Sequence, residues 1–166
     1  MNFLYSALYI AALGILCFPA GRVLALFNYS TDRFPFHCCG IERGGRLYEK
    51  LGIHGWQNKV PDISRLIPGI VPRKAIPGKP DTKTLQTMIK ETCVAELTHV
   101  LLCMAGLALF WLWPGVGGAL FYAVYVLVGN LPFILIQRYN RPRLLHLLQA
   151  AQRRERNRSV IQEKTS

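Results

Sequence analysis

Acidic side chains are scarce in this sequence: nine Asp and Glu stand against twenty Lys and Arg, a formal net charge of +11. In an evenly mixed chain such a balance points to a polyanion such as nucleic acid. Even mixing is what is missing. Hydrophobic residues make up 51% of the chain and fall into long blocks, with the basic residues between them. That segregation excludes a nucleic-acid binder with a basic amphipathic surface and points to a membrane protein with basic loops.

Other absences narrow the chemistry. There is no Gly-rich phosphate loop, no nucleophile elbow, no His-Glu-x-x-His helix and no dinucleotide-binding fingerprint. His37-Cys38-Cys39 could be half of a zinc site, but no second Cys/His cluster follows at finger-like spacing. No metal is expected. The five cysteines lie within spans or on the side assigned below to the cytosol, so a disulfide framework is not expected either. The sequons at Asn28 and Asn157 fall on that same side and read as chance matches.

Three apolar blocks are long enough to cross a bilayer, which takes about 20 residues at 1.5 Å each: residues 2–26, 94–113 and 116–136. The first has Arg22 as its only charge. Lacking a basic n-region, it reads as a retained span rather than a signal peptide. Arg33 to Lys90 and Arg138 to Arg158 hold the basic residues, whereas the N-terminus and the "WPGVGG" turn have none. By the positive-inside rule the expected topology is a multi-pass cell-membrane protein with its N-terminus outside. The middle segment and the C-terminus are then cytosolic. The expected fold class is all-α, with about three transmembrane helices plus interfacial amphipathic helices in one membrane domain. Its parts are a first span (1–27), a cytosolic or interfacial segment (28–90), an antiparallel hairpin of two spans (91–138) and a basic amphipathic tail (139–166).

The middle segment is rich in proline and has no long periodic helix before Thr82, where Asp81 is a plausible N-cap. "GGRLYEKLGI" suggests a short helix with Leu47, Leu51 and Ile53 near one side. "DISRLIPGIV", capped by Asp62, suggests an interfacial helix. His54, Trp56 and Lys59 fall at the expected water–lipid boundary, where Trp is an anchor. In the tail, Leu144, Leu145, Leu147, Leu148 and Ala151 would face lipid and the Arg cluster anionic head groups.

The stretch "ETCVAELTH" puts Glu91, Glu96 and His99 at the mouth of the second span. A carboxylate at the bilayer centre costs about 2.5–3.5 kcal/mol on insertion scales. The tight Pro-Gly turn makes spans two and three an antiparallel hairpin, which sets residue 92 level with about 137 and His99 level with about Asn130. Glu91, Glu96 and His99 should therefore meet Asn130, Gln137, Arg138, Asn140 and Arg141. Glu96 and His99, at i and i+3, share a face. Pro132 withholds a backbone donor from Val128, and Gly129 would admit a close neighbour. Ion pairs Glu91–Arg138 and Glu96–Arg141 would account for the charges without chemistry, but not for His99 and Asn130. A histidine beside a carboxylate can take a proton from a hydroxyl, and nearby Arg and amide groups can hold a phosphate or an oxyanion. Acyl transfer to a lipid hydroxyl fits such a group.

"MIKETCVAELTH" and "GNLPFILIQRYNRPRLLHLL" resemble the glycosyl-4,4'-diaponeurosporenoate acyltransferase family of small bacterial membrane proteins. The first block matches at Glu91, Thr92, Ala95, Glu96, Leu97 and His99, the second at Asn130, Pro132 and Gln137 through Leu144. A looser third block is "ERGGRLYEKLGIHGWQNKVPD". The resemblance implies transfer of a fatty acyl group from a thioester such as acyl-CoA, a co-substrate rather than a bound cofactor. The acceptor would be a hydroxyl of a glycosylated isoprenoid or similar membrane lipid, with no nucleic acid involved. It implies His99 as general base and Glu96 as its orienting partner. Substrate or donor contacts would come from Glu91, Asn130, Gln137, Arg138, Tyr139, Asn140, Arg141, Arg143, His54, Trp56 and Lys59. Two other readings of the residues are a small membrane methyltransferase or reductase acting on a lipid, and a non-catalytic lipid-binding or assembly protein.

Overall fold

The structure, a computed structural model, describes residues 1–60 and 80–165. The interfacial helix expected at residues 62–71 lies outside the described residues. Every regular element among the described residues is helical, in keeping with the all-α expectation. Helix α1 (Asn2–Leu24) is followed by an irregular connection and a 3₁₀ turn (Gly40–Gly45). Two short helices, α2 (Arg46–Lys50) and α3 (Ile53–Trp56), come next. Helix α4 (Thr82–Gly106) and the short α5 (Leu109–Leu112) form one arm of a hairpin. The other arm is α6 (Val116–Val124), a π-helical turn (Tyr125–Asn130) and α7 (Leu131–Thr165).

Three helical stretches are long and apolar enough to cross a membrane: Asn2–Leu24, Thr82–Leu112 and Val116–Glu163. Their outward faces carry large apolar side chains, among them Ile15 (72% exposed) and Val128 (69% exposed), a surface that lipid rather than water would cover. Thr82–Leu112 extends about 46 Å at 1.5 Å per residue, well beyond a hydrocarbon core of about 30 Å. Its first turns carry Lys83, Lys90 and Glu91. They start where expected: the Asp81 Oδ1 accepts a hydrogen bond from the Thr84 amide at 2.9 Å.

The hairpin turn depends on glycine at two points. Gly115 has φ +94°, a conformation costly for any residue with a Cβ. A Cβ on Gly118 would fall 1.8 Å from the Trp113 carbonyl oxygen. Farther along, the Tyr125 ring lies where a Gly106 Cβ would be, its Cε1 only 2.7 Å away. The close approach expected at Gly129 occurs instead at Gly106, because Gly129 is exposed and a Cβ there would meet only Tyr125 of its own helix. Where α4 ends, the Leu107 amide bonds back to Met104 rather than to Cys103, and the Cys103 carbonyl accepts from the Tyr122 hydroxyl at 3.2 Å. The Tyr9 hydroxyl of α1 donates to the Ala105 carbonyl at 2.8 Å. Such satisfaction of main-chain carbonyls is what a lipid environment demands.

Beyond the apolar region the two long helices stay together. Leu85 and Ile89 of α4 bury against Leu144 of α7, with Met88, Leu145, Leu148 and Ala151 around them. The sequence expectation that Leu144, Leu145, Leu148 and Ala151 face lipid is corrected: this stripe faces α4, which supplies a matching apolar stripe. The tail continues α7 through Pro142. The short helices form a second layer, where Tyr48 and Ile53 pack on Ile136 and Tyr139 of α7. Leu51 is 52% exposed, and Gly52 at φ +65° follows it as α2 ends and the chain turns into α3.

Candidate active site

Local geometry around Asn130 fixes the orientation of its carboxamide. The π turn ends at Asn130, whose Nδ2 donates to the Tyr125 carbonyl at 3.0 Å. The Oδ1 therefore faces the other way, 3.0 Å from His99 Nδ1 on α4. An amide oxygen can only accept, so the proton between the two belongs to Nδ1. A neutral His99 then carries its lone pair on Nε2. The imidazole also stacks on the Phe133 ring, with centroids 4.6 Å apart and planes within 9°. Asn130 is 1% exposed and His99 half-buried. The level pairing of His99 with Asn130 follows from the common rise of two antiparallel helices.

About 4.5 Å farther along α4, at one helical turn, lies a chain of four charges. Glu96 accepts from Arg138 Nη1 at 2.6 Å and forms a very short ion pair with Arg141 Nη2. Arg138 Nε binds Glu42 at 2.5 Å, and Glu42 also accepts from the Tyr48 hydroxyl and, at 2.8 Å, from the Cys39 amide. Other guanidinium donors reach main chain and a hydroxyl. Arg138 binds the carbonyls of Pro35 (3.1 Å) and His37 (3.2 Å). Arg141 binds those of Phe36 (3.0 Å) and Thr92 (3.1 Å), and its Nε donates to the Thr92 Oγ1 at 3.0 Å. The four charges sum to zero, which is what allows Glu96 and Arg141 each to be 3% exposed. Burial alone would raise the Glu42 carboxyl, but the hydrogen bonds from Arg138 and Tyr48 outweigh it and hold Glu42 at about 2. Burial, then the Glu42 carboxylate, push the Tyr48 phenol above its usual range. Burial and Glu42 likewise raise Cys38, which keeps that thiol protonated.

Several expectations change on this geometry. Glu96 shares a face with His99 and is held by two guanidinium groups, and the imidazole has Asn130 as a partner. The Glu91–Arg138 pair does not form: Arg138 is bound to Glu42 and Glu96, and Glu91 has no ion pair among the described residues. Glu96–Arg141 does form. Arg138 and Arg141 point most of their donors at protein atoms, which leaves little to hold a donor phosphate. The donor group of Asn130 is bonded to Tyr125 rather than facing a cavity.

Gln137 is buried and Asn140 is half-buried. Tyr139 lies in the layer with Tyr48 and Ile53, its hydroxyl accepting from Arg143 Nη1 at 3.0 Å. His54 and Lys59 are exposed, and Trp56 packs on the Tyr48–Tyr139 layer and donates to the Leu51 carbonyl at 3.3 Å. No hydrogen bond among the described residues joins these three to the charged chain. Sequence reasoning passed over Glu42, Tyr48, Phe133 and Tyr125. Charge balance was the available signal for Glu42, since two buried arginines require a second carboxylate. For Phe133, the signal was its i, i+3 relation to Asn130.

These features define an integral membrane protein whose helical hairpin carries a buried ion chain, with an oriented His–Asn pair one turn away. The chain belongs to the glycosyl-4,4'-diaponeurosporenoate acyltransferase family, whose model matches residues 31–150. It is an acyltransferase, and so an enzyme. The glycosyl-4,4'-diaponeurosporenoate acyltransferase of Staphylococcus aureus strain N315 is 29% identical over 123 residues, covering 72% of this chain and 71% of that protein. The protein of the same name from strain USA300 is 30% identical over 120 residues, with the same shares covered. No solved structure matches the chain.

Proposed function

We propose that this protein transfers a fatty acyl group from a thioester donor of the acyl-CoA type onto a sugar hydroxyl of a glycosylated carotenoid or closely related glycolipid, with His99 as general base. The family and the names of the relatives support the acyl transfer and the class of acceptor. The observation that carries the role of His99 is the Nδ1 contact to Asn130, itself oriented by the Tyr125 carbonyl. His99 Nε2 takes the proton as the acceptor oxygen bonds to the thioester carbonyl carbon. The tetrahedral adduct then collapses, the C–S bond breaks, and the imidazolium returns the proton to the departing thiolate. Products are an ester and a free thiol. The ion chain holds the 33–42 connection against α4 and α7 and acts as a clasp rather than as a participant. With the basic segments cytosolic, the reaction takes place near the inner face of the membrane, where a soluble thioester is available.

The test is acyl transfer by the purified full-length protein in nanodiscs, with acyl-CoA and a glycosylated carotenoid, the ester being quantified by mass spectrometry. His99→Gln should lower kcat by about 10²–10⁴-fold, the usual span for a general base, while its melting temperature stays close to wild type. Undiminished transfer by a folded His99→Gln protein would overturn the role of His99, and no transfer by the wild type would overturn the reaction.

A further inference from the structure

Helix α7 runs unbroken from Leu131 to Thr165, and its apolar run ends at Ile136. Leu144 and Leu148 pack with Leu85 and Ile89, which keeps the helix alongside α4 to about Ala151 and sets its last turns along the hairpin axis. Arg143, Leu147, Ala150, Arg154 and Arg158 recur at i, i+4, i+7, i+11 and i+15, the spacing of one helical face. Arg143, Arg154 and Arg158 are exposed there, with Leu147 42% exposed between them, and the exposed Arg153 flanks the strip. Arg143 donates to the Tyr139 hydroxyl, a neutral partner. None of the four arginines has an ion pair among the described residues. Glu155, the one carboxylate of α7 before Glu163, has none there either. The strip therefore presents uncompensated positive charge, unlike Arg138 and Arg141, which are bound to Glu42 and Glu96.

Distance along the helix decides what such a strip can meet. Arg154 and Arg158 lie 16 and 20 residues beyond Arg138, about 24 and 30 Å at 1.5 Å per residue. Charges are screened beyond about 8 Å at physiological salt, so lipid headgroups level with Arg138 leave both arginines unmatched. A free acyl-CoA falls short as well. Its phosphates lie within about 20 Å of the sulfur, the reach of an extended arm of about fifteen bonds. With the thioester at His99, level with Asn130, that reach ends near Arg143, 13 residues and about 20 Å away. The strip continues for about 22 Å more, from Arg143 to Arg158. A folded domain of about 100 residues has a radius of gyration of about 13 Å and covers that length. Such a domain, carrying the thioester on an arm of the same reach, would lie beside the strip while the acyl carbonyl meets His99. A nucleic acid would match the charge but brings no acyl group, and the exposed Leu147 suits a protein surface better than a phosphate backbone.

We propose that this strip docks an acidic protein that carries the acyl donor as a thioester on a flexible arm, so that transfer leaves a free thiol on that arm. The proposal rests on the reaction given above and names the form of its donor. Two experiments test it, both on the full-length protein in nanodiscs. In the first, the same acyl group is supplied on a bacterial acyl carrier protein or on CoA. The carrier-bound donor should show a KM about tenfold below that of acyl-CoA. Reversing two charges together, Arg154→Glu with Arg158→Glu, should raise the carrier KM about tenfold and move the acyl-CoA KM less than about twofold, with the melting temperature unchanged. Equal KM values for the two donors, a carrier KM indifferent to the reversal, or an equal effect on both donors would overturn the docking surface and leave the reaction standing. The second experiment measures binding alone, by biolayer interferometry with the unacylated carrier. The carrier should bind, more weakly as salt rises, and about fivefold more weakly to the reversed variant. No binding, or tighter binding of a double-stranded oligonucleotide through the same arginines, would overturn the docking surface. Carrier binding that is lost on reversal, with no acyl transfer from either donor, would support the docking surface and overturn the reaction.

Discussion

His99 Nδ1 and Asn130 Oδ1 lie 3.0 Å apart across the hairpin, 31 residues apart in the chain. The contact couples the ring orientation on α4 to a π turn on the facing arm of the hairpin, so disturbing either arm should disturb the imidazole.

Removing the orienting amide should therefore act on turnover more than on binding. Asn130→Ala leaves the Tyr125 carbonyl and His99 Nδ1 without their partner, and kcat should fall about 10²-fold, within the range of a mispositioned catalytic base. KM values for donor and acceptor should change less than threefold. Steady-state kinetics check the split.

The ion chain leads to a different expectation, one of stability. Glu96→Gln or Arg141→Met strands a buried charge and should destabilise by about 3–5 kcal/mol. Pairing Glu96→Leu with Arg141→Met should recover much of that loss, because Arg138 keeps Glu42. Melting temperatures of the purified variants in detergent provide the comparison.

Glu42 sets a pH dependence of known sign. Its folded value of about 2 lies below the ordinary 4.5. The stabilisation it contributes is thus complete above about pH 5 and lost as pH falls from 4.5 towards 2. The stability difference between wild type and Glu42→Gln should be constant from neutral pH down to about 5 and shrink below it. Thermal unfolding across that range measures it.

Close packing at Gly106 should transmit to the site. A side chain there displaces the Tyr125 ring, whose backbone carbonyl holds Asn130. Gly106→Val should cost about 1–3 kcal/mol, as overpacking does, and lower kcat as well. The same substitution at exposed Gly129 should have little effect on either quantity.

Orientation in the membrane is open to a direct check through the exposed Cys39. In a variant retaining only this cysteine, an impermeant maleimide should label intact spheroplasts poorly and inside-out vesicles well. Equal labelling from outside would invert the proposed topology.

Much of this architecture can be read from the sequence because helical rise is constant. Apolar runs give the spans, Asp81 gives the start of α4, and the short turn makes depth along one arm predict depth along the other, which is how His99 meets Asn130. The rest depends on choices that periodicity does not express. Glu96 and His99 share a face, but a carboxylate within reach of two guanidinium groups binds them in preference to an imidazole. Glu42 enters from a short 3₁₀ turn 96 residues from Arg138. Leu144 and its neighbours form a stripe equally suited to lipid or to a helix, and only the presence of Leu85 and Ile89 opposite selects the helix.

The most direct measurement is the protonation pattern of His99, by nitrogen-15 NMR of histidine-labelled protein in nanodiscs at mildly alkaline pH. Nδ1 should show the shift of a protonated ring nitrogen and Nε2 that of a bare one, with the pattern lost in Asn130→Ala. A proton on Nε2 in the wild type would contradict the assignment of that nitrogen as the base.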